Sequence, residues 1–226
     1  RMVHVRDETL AELGDAAPPY EITSVTDTTN ETADDELPDG VARRIHGTFT
    51  VTNWLTGDGA PGNRFHYGDT DVTAEPDALP QANGTLTATF QCNVTDEVLA
   101  AGGGARIIQY GHGLLGGPGE INSDAQTKLG NAAGAVVCAT AWAGMAEEDI
   151  GNAAFSLTDF SNFPTMTDRL QQGVLNQLVL TRLLTAPDGL SADPAFATAD
   201  GAPLYDPELI AYSGNSQGAI MGLMLA

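Results

Sequence analysis

The last eighteen residues constrain the fold more than any other part of the chain. Leu209-Ile210-Ala211-Tyr212 is an apolar run that reads as a strand, and Ala219-Ile220-Met221-Gly222-Leu223-Met224 reads as a helix of small and apolar residues. Between them stands Gly214-Asn215-Ser216-Gln217-Gly218, a G-x-S-x-G pattern. Five residues of that kind recur by chance, but a strand before and a helix after are the context the pattern requires. A sharp strand-to-helix turn holds its central residue in a strained conformation, at about 1–3 kcal/mol, and projects the side chain out of the sheet. Gly214 and Gly218 have no Cβ, so neighbouring backbone can close around the turn. Ser216 also starts a helix, where unpaired N–H groups and the helix dipole favour developing negative charge. The competing reading is a serine in another glycine-rich turn, such as a phosphate cradle. A Walker-type loop needs Gly-Lys-Ser or Gly-Lys-Thr, and the sequence has neither.

The rest of the chain supports a layered α/β architecture. Residues 1–40 mix Pro18-Pro19, a Thr- and Asp-rich stretch and Asp34-Asp35-Glu36, and read as an extended, loop-rich arm. Strands are expected at Arg44 to Thr52 and Thr85 to Val94. In the first, Ile45, Gly47, Phe49 and Val51 share one parity. Residues 53–80 form a long connection suited to a surface loop over a site. From residue 105 strands and helices alternate, the habit of a parallel sheet covered on both faces. Arg106 to Tyr110 and Ala135 to Trp142 read as buried strands. Helices are expected at about 122–132 and from Pro164 to Leu184, the latter with Leu170, Val174, Leu178 and Leu184 on one face.

The strand at 106–110 runs into Tyr110-Gly111-His112-Gly113-Leu114-Leu115-Gly116. This strip and the serine turn, in that order, resemble the α/β-hydrolase superfamily, and within it bacterial extracellular lipases and esterases with a His-Gly-Leu oxyanion strip and a Ser-Gln nucleophile turn. The resemblance covers roughly residues 105–226. It implies a mostly parallel central sheet with helices on both faces, of which this chain holds the N-terminal half, residues 101–226 being the first half of the core. Residues 1–100 would be a loop- and β-rich segment packing on the same domain. It also implies that Ser216 is the nucleophile and that the backbone N–H groups of Leu114 and Gln217 form the oxyanion hole. His112, Gly113, Gly214 and Gly218 would support them. Asn215 departs from the His often found before the serine in similar lipases.

In this fold the triad runs Ser, then Asp or Glu, then His. Only ten residues follow Ser216, none acidic and none His, and the four histidines, at 4, 46, 66 and 112, precede it. A serine hydroxyl without a base is a poor nucleophile at neutral pH. The acid and histidine are therefore expected after Ala226, in further sequence or a separate chain, and His66 or His112 as an unusual base is the alternative. The expected reaction is hydrolysis of a carboxylic ester, with a small-molecule or lipid ester as substrate. Amide or thioester hydrolysis, or a catalytically dead binding module, are the rivals. Trp142 and Met145 could line a substrate pocket or pack in the core. Phe155, Phe160 and Phe163 read as a hydrophobic staple, with a cap segment as the alternative, and Asp168 and Arg169 as charge contacts at a helix start.

Composition excludes several functions. Acidic residues number 30 against 9 basic, a net charge of −21, and they are spread along the chain. That field repels nucleic acid and anionic membrane surfaces. No apolar run reaches the roughly 18 residues of a membrane-spanning helix. No cofactor or metal is expected, and the sequence leaves calcium around Asp69 and Asp71 open. Cys92 and Cys138 suit one disulfide or two buried thiols. The sequons at Asn30, Asn83 and Asn93 occur at a rate chance supplies, and with no initiator Met the chain leans towards a secreted or cell-envelope protein.

Overall fold

In a computed structural model describing residues 1–68 and 78–225, β2 (Val41–Thr52) and β3 (Thr85–Thr95) pair antiparallel along almost their whole length. β1 (Tyr20–Asp27) pairs with the outer edge of β2, and β3 pairs with β5 (Ala135–Thr140), again antiparallel. β4 (Ala105–Gly111) lies between β5 and β6 (Tyr205–Gly214), parallel to both. The six strands form one sheet in the order β1-β2-β3-β5-β4-β6. Parallel pairing is confined to the β5-β4-β6 end, so the expectation of a mostly parallel sheet needs correction. The cause is local: β1, β2 and β3 are joined without the crossover helices that parallel strands require.

Among the described residues, six α-helices accompany the sheet: α1 (Met2–Leu13), α2 (Asp96–Ala101), α3 (Asp124–Ala133), α4 (Ile150–Thr158), α5 (Pro164–Thr185) and α6 (Gln217–Gly222). Alternation along β4 and β5 assigns the faces. Ile107, Val136 and Cys138 join Leu175, Val179, Leu180 and Leu183 of α5 in the main core. Ile108, Tyr110, Val137 and Ala139 pack with Ile121 and Ala133 on the α3 side. The crossover from β4 to β5 thus uses one face, and the return from β5 to β6 uses the other. Strand order reverses at β4, and the crevice beyond the carboxyl ends of strands at such a reversal is where ligands bind in open α/β sheets.

The N-terminal forty residues depart from expectation. They build α1 and β1 rather than a loop-rich arm. Their signals are weak because α1 buries only Val5 and Thr9, and because β1 is a bulged edge strand burying only Thr26. Of the connection expected at residues 53–80, residues 69–77 lie outside the described residues, and residues 53–68 are anchored to the body of the protein. Trp54, Leu55 and Phe65 are buried, and the segment is held to α5 by Gln172, which accepts from Trp54 N–H at 3.0 Å, and by Asp168, which accepts from Phe65 N–H at 3.1 Å. Asp69 and Asp71 lie outside the described residues. Cys92 and Cys138 face each other across β3 and β5 and are disulfide-bonded. No helix among the described residues is long and apolar enough to cross a membrane.

Candidate active site

Ser216 sits where β6 ends and α6 begins, with φ 50° and ψ −113° and its side chain exposed. Leu115, in the strip after β4, has φ 54°. These two are the residues other than glycine that hold a positive φ among those described, and both belong to loops leaving the carboxyl ends of neighbouring parallel strands. Such conformations cost about 1–3 kcal/mol each and persist only when surrounding contacts enforce them.

At the serine turn the enforcing contacts are on view. Asn215 N–H donates to Gly111 O at 3.0 Å, tying the turn to the end of β4. Gly218 N–H donates to Asn215 O at 2.8 Å, and the Tyr212 hydroxyl to Gly218 O at 2.7 Å. Burial pushes the Tyr212 hydroxyl up to about 12, so it stays a proton donor at neutral pH. Glycine is required at both ends of the turn. A Cβ on Gly214 would come within 2.5 Å of the Gly218 carbonyl carbon, and one on Gly218 would strike the Gly111 carbonyl oxygen.

The strip opposite is equally constrained. His112 is fully buried, and its Nδ1 lies 2.7 Å from Gly113 O. Trp142 N–H donates to His112 Nε2 at 2.8 Å, so the ring is neutral with its proton on Nδ1. Gly116 N–H donates to Gly113 O as well, at 3.1 Å. With that carbonyl engaged twice, the N–H of the same trans peptide, which belongs to Leu114, points the opposite way. Leu114 N–H and Gln217 N–H donate no hydrogen bond among the described residues. Gln217 is the first residue of α6, where an N–H has no intrahelical acceptor.

No histidine is brought to Ser216. Both nitrogens of His112 are occupied, and burial holds its pKa below the ordinary value. His46 is on β2, four strand spacings from β6, or about 19 Å. His4 and His66 lie at the Trp54 segment: the His4 ring is 5.4 Å from that of Trp54, and His66 N–H donates to Trp54 O. The structure therefore departs from His66 or His112 as the base.

Trp142 is fully buried beneath the strip and forms part of the core, whereas Met145 is half-buried and its carbonyl accepts from Leu115 N–H at 2.9 Å. Asp168 and Arg169 are not local helix-start contacts. Arg169 pairs with the fully buried Asp149 at 2.7 Å, and with Glu148 and Gly59 O, clamping α5 to two loops. Phe155, Phe160 and Phe163 are exposed rather than stapled. The sequence reading passed over Leu115, Tyr212 and Glu120. Glu120 lies in a short 3-10 turn, Pro118–Asn122, and its carboxylate accepts from Gly113 N–H. Only its proximity to a glycine-rich strip could have drawn notice.

No protein-family model and no curated protein matches the chain. Among solved structures it is similar to acetyl xylan esterase 1 from Thermoanaerobacterium sp. JW/SL YS485, at 14% sequence identity and a TM-score of 0.50, over 98% of this chain and 52% of the other. The chain thus spans about half the length of that structure, and the likeness is one of fold: a mixed α/β arrangement with, among the described residues, a six-stranded sheet and flanking helices.

Proposed function

We propose that residues 1–226 carry the nucleophile and oxyanion half of a serine hydrolase acting on carboxylic esters, on an α/β-hydrolase core. The observation that carries this reading is the exposed, positive-φ Ser216 at the strand reversal, beside a strip whose Leu114 N–H has no acceptor among the described residues. Ser216 Oγ attacks the ester carbonyl as a histidine takes its proton, and the N–H groups of Leu114 and Gln217 hold the oxyanion. The alcohol leaves with a proton delivered by the same histidine, and water then releases the acid from the acyl-enzyme. That histidine and its acid partner come from residues outside these 226. Exposed Leu209, Ile210, Ile220 and Leu223 give such a segment an apolar surface to pack on. The fold shared with an esterase favours an ester over an amide. A disulfide between Cys92 and Cys138 favours an oxidising compartment, and with it export.

The test is turnover of p-nitrophenyl esters by the full-length protein and by its Ser216→Ala variant. Loss of at least about 10³-fold in kcat, of the order seen when a triad member is removed, is the expected result. Ser216→Ala turnover within tenfold of wild type would end this reading. A wild-type protein that neither turns over esters nor reacts with a fluorophosphonate would point to a binding module instead.

A further inference from the structure

We infer that Glu120 is a positioning residue that aims the oxyanion strip, an inference that rests on the ester-hydrolase reading above. Its two carboxylate oxygens accept from Gly113 N–H at 3.1 and 3.0 Å, and Oε2 also accepts from the Tyr110 hydroxyl at 3.1 Å. Tyr110 is buried on β4, so the carboxylate is anchored to the sheet as well as to the strip.

The backbone is shaped around this group. A Cβ on Gly116 would collide with Glu120 Oε1. A Cβ on Gly113 would lie 3.1 Å from Asn215 Nδ2 and 3.5 Å from Glu120 Oε1, so carboxylate, strip and the residue before Ser216 converge on one point. Two consecutive peptide planes are fixed as a result. Glu120 holds the peptide between His112 and Gly113 through its N–H, and His112 with Gly116 holds the next through its carbonyl. Leu114 N–H belongs to that second plane and is aimed before any ester arrives. Donors fixed in advance need no reorganisation as charge develops, and this is the main source of their catalytic effect. The acceptor matters here rather than the negative charge, which would itself disfavour an adjacent oxyanion.

The full-length protein is compared with Glu120→Met, similar in size without an acceptor, and Glu120→Gln, whose amide oxygen still accepts from Gly113 N–H. Measured quantities are kcat and KM for p-nitrophenyl acetate, and affinity for a boronic acid that forms a tetrahedral adduct at the serine. Glu120→Met should lose about 10- to 100-fold in kcat with KM within about twofold, and boronate affinity should fall in step. Glu120→Gln should recover to within about fivefold of wild type. Wild-type kcat in Glu120→Met, a Glu120→Gln variant no better than Glu120→Met, or unchanged boronate affinity alongside a lowered kcat would each overturn the inference. Should Glu120→Met not fold, Glu120→Asp carries the test, because its carboxylate falls one methylene short. A lowered kcat at constant KM supports the inference, and wild-type kcat overturns it. Turnover retained by Ser216→Ala would instead remove the ester-hydrolase reading, whatever the Glu120 variants do.

Discussion

At the scale of single residues, backbone strain is concentrated at Leu115 and Ser216, while neutral, buried His112 links the strip to the start of the loop after β5. Burial lowers the His112 pKa below 6.5, and the charges of Glu120 and Asp149 only partly oppose that. Between the lowered folded value and the unfolded value, the unfolded chain binds more protons, so stability rises with pH. The His112 contribution is complete above about pH 6.5 and is lost as pH falls through the folded pKa. Protonation would also set an N–H against the Trp142 N–H and release the strip. Thermal melts of the full-length protein should therefore show a drop in Tm from pH 7 to 5 that is smaller in His112→Gln. An equal drop in the variant would show that His112 is not the group responsible. The serine turn was legible because its glycines, flanking strand and helix all answer to one steric demand. Glu120 was not, because a carboxylate that grips backbone from a short 3-10 turn leaves no periodic trace.

At the scale of elements, α5 shows how a correct helix can be read with only part of its core face, since Val174 and Leu184 are buried as expected. Its span agrees with the sequence reading, but Leu175, Val179, Leu180 and Leu183 point into the core while Leu170 and Leu178 are only partly buried. The polar residues around its first half misled the pattern: Asp168, Arg169, Gln172, Asn176 and Gln177 are all buried, each with hydrogen bonds. These groups carry tertiary contacts that no helical period encodes. Arg169 is central among them, since its removal would leave Asp149 buried without its counter-charge. Breaking a buried pair of this kind costs about 3–5 kcal/mol, so denaturant unfolding of Arg169→Met should show a loss of about that size. A loss under about 1 kcal/mol would place the clamp among the weak surface pairs. α1 and β1 escaped the sequence reading for the opposite reason, because so little of either is buried.

At the scale of the whole molecule, the sheet explains where the chemistry can sit. Antiparallel strands form one half and three parallel strands the other, and the strand order reverses at β4, beside β6. The strip leaves one of these strands and the serine turn leaves the other, so two segments a hundred residues apart meet there. The alternation of strand and helix from residue 105 conveyed that half of the sheet. The antiparallel half was legible strand by strand but not in its pairing, since half-buried strands do not specify their neighbours. The central claim is that Ser216 is the residue that becomes acylated. Mass spectrometry of the full-length protein after treatment with a fluorophosphonate tests it most directly. The account predicts one adduct, on the peptide containing Ser216, absent from Ser216→Ala. An adduct on any other serine, or one that survives that substitution, would contradict it.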